Sequence, residues 1–167
     1  MMRAGIFGPS MSGKTTLAKS LSKGYWQKFK MKTLVLDPNG EQWGEHAVVF
    51  TDEEKFWSTV WNSEHCIVIA EEASETINRD KELTAVFTRL RHRHHKLIIV
   101  GHSGASLLPV MRQQFDTLYL FLQSKKSAQN WCEDATCEKL MDSTRLKQYE
   151  FIHYERYKEP YKARLTL

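Results

Sequence analysis

Residues 8–15 read Gly8-Pro9-Ser10-Met11-Ser12-Gly13-Lys14-Thr15, a glycine, four residues, then glycine, lysine and a hydroxyl residue. Each type has a use on a polyphosphate. Gly8 and Gly13 let the backbone curl without Cβ clashes. The curl aims successive N–H groups, from about Met11 to Thr15, at phosphate oxygens. A helix opening there adds the positive end of its dipole. Pro9, Ser10 and Ser12 complete the loop. Lys14 is placed for the β- and γ-phosphates, Thr15 for Mg²⁺ and Thr16 for the α-phosphate. The guanine-reading tetrapeptide Asn-Lys-x-Asp is absent. The expected nucleotide is therefore ATP.

A second cluster lies some way downstream. Cys66-Ile67-Val68-Ile69-Ala70 is apolar throughout and ends in Glu71-Glu72. Beside a phosphate loop, the first acid of such a pair is expected to hold Mg²⁺ through water, and the second to polarise the attacking water. Glu71 takes the first role and Glu72 the second. Glu71 stands where aspartate is more usual, and its longer arm still reaches a water-bridged ion. Carboxylates also suit a helix start for reasons unrelated to catalysis. The doublet fits hydrolysis by water better than transfer to a small acceptor.

The elements that must position these groups alternate. Short apolar runs at Ala4–Phe7, Thr33–Leu36, Ala47–Phe50, Cys66–Ala70, Leu97–Val100, Leu118–Leu122 and Tyr149–Tyr154 read as strands. Helical spacing appears over Lys14–Phe29, Asp52–Trp61, Arg79–His95, Leu107–Phe115 and Ala128–Gln148. Asp37-Pro38-Asn39-Gly40 is a turn by composition. Strands alternating with helices predict an α/β fold, a three-layer sandwich with a mostly parallel central sheet. In such sheets ligands sit at the carboxyl ends of the strands, and both clusters fall at such ends.

At 167 residues, residues 1–167 are expected to form a single domain. With 41% hydrophobic and 26% charged residues, the chain belongs with folded globular proteins, not disordered ones. No apolar run is long enough for a membrane span, and MMRAGIFGPS lacks the pattern of a secretory signal. Cys66, Cys132 and Cys137 are an odd set, which argues against a disulfide framework. His92, His94 and His95 lack partners at ligand spacing, so no structural metal is expected. A net charge of +4 permits a polyanionic partner without requiring one.

Three further stretches carry a resemblance. They are Thr33-Leu34-Val35-Leu36-Asp37-Pro38-Asn39-Gly40-Glu41, then Leu97-Ile98-Ile99-Val100-Gly101-His102-Ser103-Gly104, then Leu108-Pro109-Val110-Met111-Arg112 with Phe115–Phe121. From about Ile6 to Phe121 the chain resembles the FtsK–HerA superfamily of P-loop (RecA-like) ATPases, above all the genome-packaging ATPases of tailless, membrane-containing viruses. The resemblance implies ATP hydrolysis coupled to translocation of double-stranded DNA by a homo-oligomeric ring, usually a hexamer. It places such a motor in the host cytoplasm or at a virion vertex, with capsid vertex proteins as partners. It also implies a polar sensor at the end of the strand after the acidic pair, here His102-Ser103 in place of the commoner Gln. An arginine shortly before that strand is expected to act in trans on a neighbour's γ-phosphate. Arg91 and Arg93 lead, Arg89 is a further choice, and Arg112 is a weaker one. DNA contacts are expected to be with phosphates, through Lys28, Lys30 and Lys32 or through Lys125 and Lys126. Zot-like filamentous-phage assembly ATPases share a similar core and form one alternative. A small P-loop nucleotide or metabolite kinase forms the other.

Overall fold

The computed structural model describes residues 2–71, 87 and 89–166. Its strands are β1 (Arg3–Phe7), β2 (Thr33–Leu36), β3 (Ala47–Phe50), β4 (Ile67–Ala70), β5 (Lys96–Gly101), β6 (Thr117–Leu120), β7 (Glu150–Glu155) and β8 (Tyr161–Arg164). They form one sheet in the order β3-β2-β4-β5-β1-β6-β7-β8. The first six pair parallel. β7 and β8 add as antiparallel strands at one edge.

Side chains alternate across each strand, and both faces are apolar. Ile6, Val35, Ile69 and Ile98 face α1 (Lys14–Phe29), which contributes Leu17 and Ala18. Phe7, Leu34, Val68, Leu97 and Ile99 face the opposite layer. There α2 (Glu53–Trp61) supplies Phe56 and Val60, α3 (Pro109–Arg112) supplies Met111, and α4 (Lys125–Ala135) supplies Trp131. The result is the expected three-layer sandwich.

The helix expected over Ala128–Gln148 is two elements. α4 begins earlier, at Lys125, and stops at Ala135; a 3₁₀ segment, Glu138–Arg145, follows. Thr136 turns left-handed at φ 52°. Its N–H bonds back to the Glu133 carbonyl, and the Cys137 N–H bonds to the Cys132 carbonyl at 3.0 Å. Those bonds satisfy the orphan carbonyls of a helix end and fix the stop. The reading of Arg79–His95 as a helix falls largely outside the described residues; Phe87 and residues 89–92 are helical. The helix expected over Leu107–Phe115 is shorter, Pro109–Arg112. Tyr154–Tyr161 covers the end of β7 and the turn into β8.

His95 fastens the opposite layer to the sheet. It is fully buried. Its Nδ1 accepts the Cys66 N–H at 3.1 Å, and its Nε2 lies 3.1 Å from the Val60 carbonyl. Only the neutral Nε2–H form satisfies both partners. Burial accordingly lowers its pKa from the ordinary 6.5. Above about pH 6.5 the ring is neutral in both folded and unfolded chains. Below it, the unfolded chain takes up a proton that the folded ring resists, so stability falls as pH drops toward the depressed folded value. The prediction is that urea midpoints fall more between pH 7.5 and 5.5 for the parent than for His95→Gln, with both measured under identical conditions. Equal pH slopes would contradict it.

Candidate nucleotide site

The carboxyl ends of β1, β2, β4 and β5 converge. β1 runs into the loop Gly8–Thr15, β2 into Asp37, β4 into Glu71 and β5 into His102. β5 lies between β1 and β4. Its end therefore falls between the loop and the acid. A cavity of about 330 Å³ opens there, with Lys14, Thr15, Glu71, Asn39, Glu41 and His102 among its walls.

The loop is held in a strained curl. Met11 sits at φ 60° and Gly13 at φ 104°. Successive backbone N–H groups in such a turn form an anion-binding concavity. A Cβ on Gly13 would meet Leu165 Cδ1 at 2.5 Å, and one on Gly8 would meet Phe121 Cβ at 2.5 Å. Glycine is favoured at Gly13 by φ, since the Leu165 methyl can shift aside, and is required at Gly8 by space. α1 then opens with Lys14, and the first N–H groups of its initial turn have no intrahelical acceptor. The Lys14 ammonium donates to the Pro9 carbonyl at 2.7 Å, across its own loop.

Thr15 and Glu71 meet in the cavity. The Thr15 hydroxyl donates to Glu71 Oε2 at 3.3 Å. Glu71 is only 9% exposed. Burial pushes its carboxyl up to about 7; the Thr15 hydrogen bond and Lys14 oppose this, while Asp37 and Glu41 reinforce it. Its Oε1 has no hydrogen-bond partner among the described residues, and neither has the buried Ser12 Oγ. A buried carboxylate oxygen without a partner is unusual in a native fold. A hydroxyl beside a carboxylate with a vacant oxygen is an oxygen donor set that suits Mg²⁺.

The structure separates the two sensor candidates. His102 is exposed and lines the cavity. Ser103 turns away: its Oγ accepts the Ala105 N–H at 3.1 Å and caps a 3₁₀ turn, and it also reaches Ser127. Thr16 is exposed and outside the cavity wall. Glu72 lies outside the described residues. Arg91 and Arg93 precede β5, at the opposite end of the sheet from the loop. Six strand residues put them about 20 Å away, so neither serves its own subunit's phosphates. Arg112 is committed elsewhere, to Asp134 and to the carbonyls of Gly104 and Leu107. It lines a larger cleft of about 910 Å³ beside Trp131 and Tyr154, away from the phosphate loop.

Two positioning residues were not recognised in the sequence. The buried Asp37 carboxylate accepts the Asn39 and Glu41 N–H groups at 2.9 and 3.0 Å and the Trp43 indole N–H at 3.1 Å. It folds the turn that presents Asn39 and Glu41 to the cavity. Gln123, also buried, donates to the carbonyls of Phe7 and Phe121, both at 3.1 Å, and accepts from Ser127 at 2.7 Å. It ties the residue before Gly8 to the end of β6. A polar residue closing the apolar run Leu118–Leu122 was the available signal. Gln123→Leu removes these buried hydrogen bonds and takes away the acceptor of the Ser127 hydroxyl, at about 1–3 kcal/mol. Denaturant titration should show a loss in that range; an unchanged midpoint would contradict the role given to Gln123.

No family model matches the sequence, and no curated protein does. Solved structures do match its fold. The genome packaging NTPase B204 of Sulfolobus turreted icosahedral virus 2, in complex with sulfate, superposes with a TM-score of 0.83 at 19% identity, covering 99% of this chain and 97% of that one. The same NTPase in complex with AMPPCP gives 0.80 at 18% identity, with 96% of each chain covered. This chain shares the fold of that Sulfolobus virus NTPase. The expected resemblance thus holds for the architecture of essentially the whole chain. The N-terminal domain of zonular occludens toxin from Neisseria meningitidis is more distant, with a TM-score of 0.60 at 14% identity, over 99% of this chain and 94% of that one. Among the described residues, no helix is long and apolar enough to cross a membrane.

Proposed function

We propose that this chain hydrolyses ATP and couples hydrolysis to movement of double-stranded DNA, as a ring-forming subunit of a viral genome-packaging motor. The observation that carries the hydrolytic half is the meeting of the phosphate loop with Glu71 in one cavity, Thr15 Oγ1 lying 3.3 Å from Glu71 Oε2. The DNA half is supported by the shared fold with the Sulfolobus virus packaging NTPase.

In this reading the loop N–H groups and Lys14 hold the β- and γ-phosphates. Thr15 and, through water, Glu71 hold Mg²⁺, which when bound neutralises charge on the phosphate oxygens. Glu72, the next residue, orients the attacking water and accepts its proton. His102 stands at the end of the intervening strand, placed to report the state of the γ-phosphate. An arginine from a neighbouring subunit, Arg91 or Arg93, completes the charge stabilisation, so turnover depends on assembly. A hexamer, capsid vertex partners and a location in the host cytoplasm or at a virion vertex belong to the same proposal.

The Zot-like assembly ATPase stands second, favoured by the toxin-domain likeness. Phosphate release from Mg²⁺-ATP, measured beside a screen of small phosphoryl acceptors, tests the proposal against a kinase. Release to water without acceptor supports it; phosphate appearing only on an acceptor would overturn it.

A further inference from the structure

Two basic stretches far apart in sequence meet at the amino-terminal end of the sheet. Lys28, Lys30 and Lys32 lie at the end of α1 and the entry to β2, while Arg91, Arg93 and Lys96 lead into β5. The backbone joins them through β4: the Ile67 N–H bonds to the Lys32 carbonyl at 2.9 Å, and the Lys96 N–H to the Cys66 carbonyl at 3.0 Å. Aromatic rings continue the link. The Lys96 ammonium sits 5.2 Å over the Tyr25 ring, Tyr25 lies 5.7 Å from Phe29, and Lys28 sits 5.2 Å over Phe29. β2, β4 and β5 are neighbours, so about 10 Å separates the outer two.

The charge imbalance is large. Residues 28–32, 62–66 and 89–96 hold seven Lys and Arg and one carboxylate, Glu64, against +4 for the whole chain. The rest of the chain is therefore net negative. Among the described residues Glu64 pairs with Arg93, at 3.4 Å. Two helices end here, and basic residues do suit helix C-termini. Each terminus is worth about half a negative charge, far less than the excess. Lys28, Lys30, Lys32, Arg91 and Arg93 are exposed.

We propose that this amino-terminal end of the sheet is the surface that grips the phosphate backbone of duplex DNA. The inference rests on the DNA-motor reading above and locates its contact. Duplex DNA carries one charge per about 1.7 Å of axis, so even this narrow patch spans several phosphates. Recognition is independent of sequence, since these cations meet phosphates and not base edges. Of Arg91 and Arg93, the one that does not serve the neighbour's phosphates contacts DNA here; neither reaches its own subunit's nucleotide. Lys125 and Lys126, two exposed cations at the opposite end of the sheet, lie outside the surface.

The test is anisotropy of a labelled random-sequence duplex with the full chain, titrated at several salt concentrations. Parent, Lys28→Ala/Lys30→Ala/Lys32→Ala, Arg91→Ala/Arg93→Ala and Lys125→Ala/Lys126→Ala are compared. Each lost phosphate contact lowers the log–log salt slope by about one. The expected result is a slope lower by about two to three for the triple variant, lower by about one for the arginine pair and unchanged for the control pair. Affinity near 0.1 M salt falls at least about tenfold for the first two. Parental slopes in both patch variants would overturn the placement and leave the motor reading standing. No duplex binding by the parent would overturn both. Binding of phosphatidylglycerol vesicles in preference to duplex would overturn the proposal in favour of a membrane surface.

Discussion

Lys14→Ala is expected to lose both nucleotide affinity and turnover. The ammonium is the one side-chain cation among the described residues lining the nucleotide cavity, and it stands at the mouth of the phosphate loop. Removing a single preorganised donor from developing charge lowers turnover about 10²–10³-fold. Here the donor also carries a full charge, so the loss should reach the top of that range. Nucleotide binding, followed with a fluorescent ATP analogue, should weaken in parallel, because Lys14 holds ground and transition state alike. A variant retaining parental turnover would show that this loop does not carry the chemistry.

Glu72→Gln is expected to behave differently. If Glu72 positions water and takes its proton, the amide removes about 10²–10⁴ in rate while leaving the phosphate cradle intact. The nucleotide should still bind, and single-turnover experiments should show ATP held without cleavage. Normal hydrolysis would remove Glu72 as the catalyst. Loss of binding together with turnover would point to a structural role for Glu72. The contrast between the two variants separates grip from chemistry.

Much of this was legible in the sequence because the signals are local. Loop geometry depends on glycines, and Gly8 and Gly13 stand where a side chain would strike Phe121 or Leu165. Most of the strands are short apolar runs, and Asp37 and Glu71 mark the carboxyl ends of β2 and β4, while the polar edge strand β8 gave no such signal. What was not legible depends on partners distant in sequence. Gln123 looks like any strand-terminal polar residue until β1 is placed beside β6. Asp37 reads as a turn residue, and only the fold shows that it also binds Trp43. Ser103 and His102 are adjacent in sequence yet diverge, because Ser103 is drawn to its own 3₁₀ turn and to Ser127. The stop at Thr136 escaped notice because threonine seldom adopts a left-handed turn. The basic end of the sheet was equally hidden: Lys28, Lys30 and Lys32 read as one expected DNA contact and Arg91 and Arg93 as trans arginines, and only β4 brings the two stretches together.

The most direct test of the account is steady-state ATP hydrolysis measured against protein concentration, with and without double-stranded DNA of unrelated sequences. A ring motor completed by a neighbour's arginine predicts activity per subunit that rises steeply with concentration and is stimulated by duplex of any sequence. Activity per subunit that is flat with concentration and indifferent to DNA would contradict it.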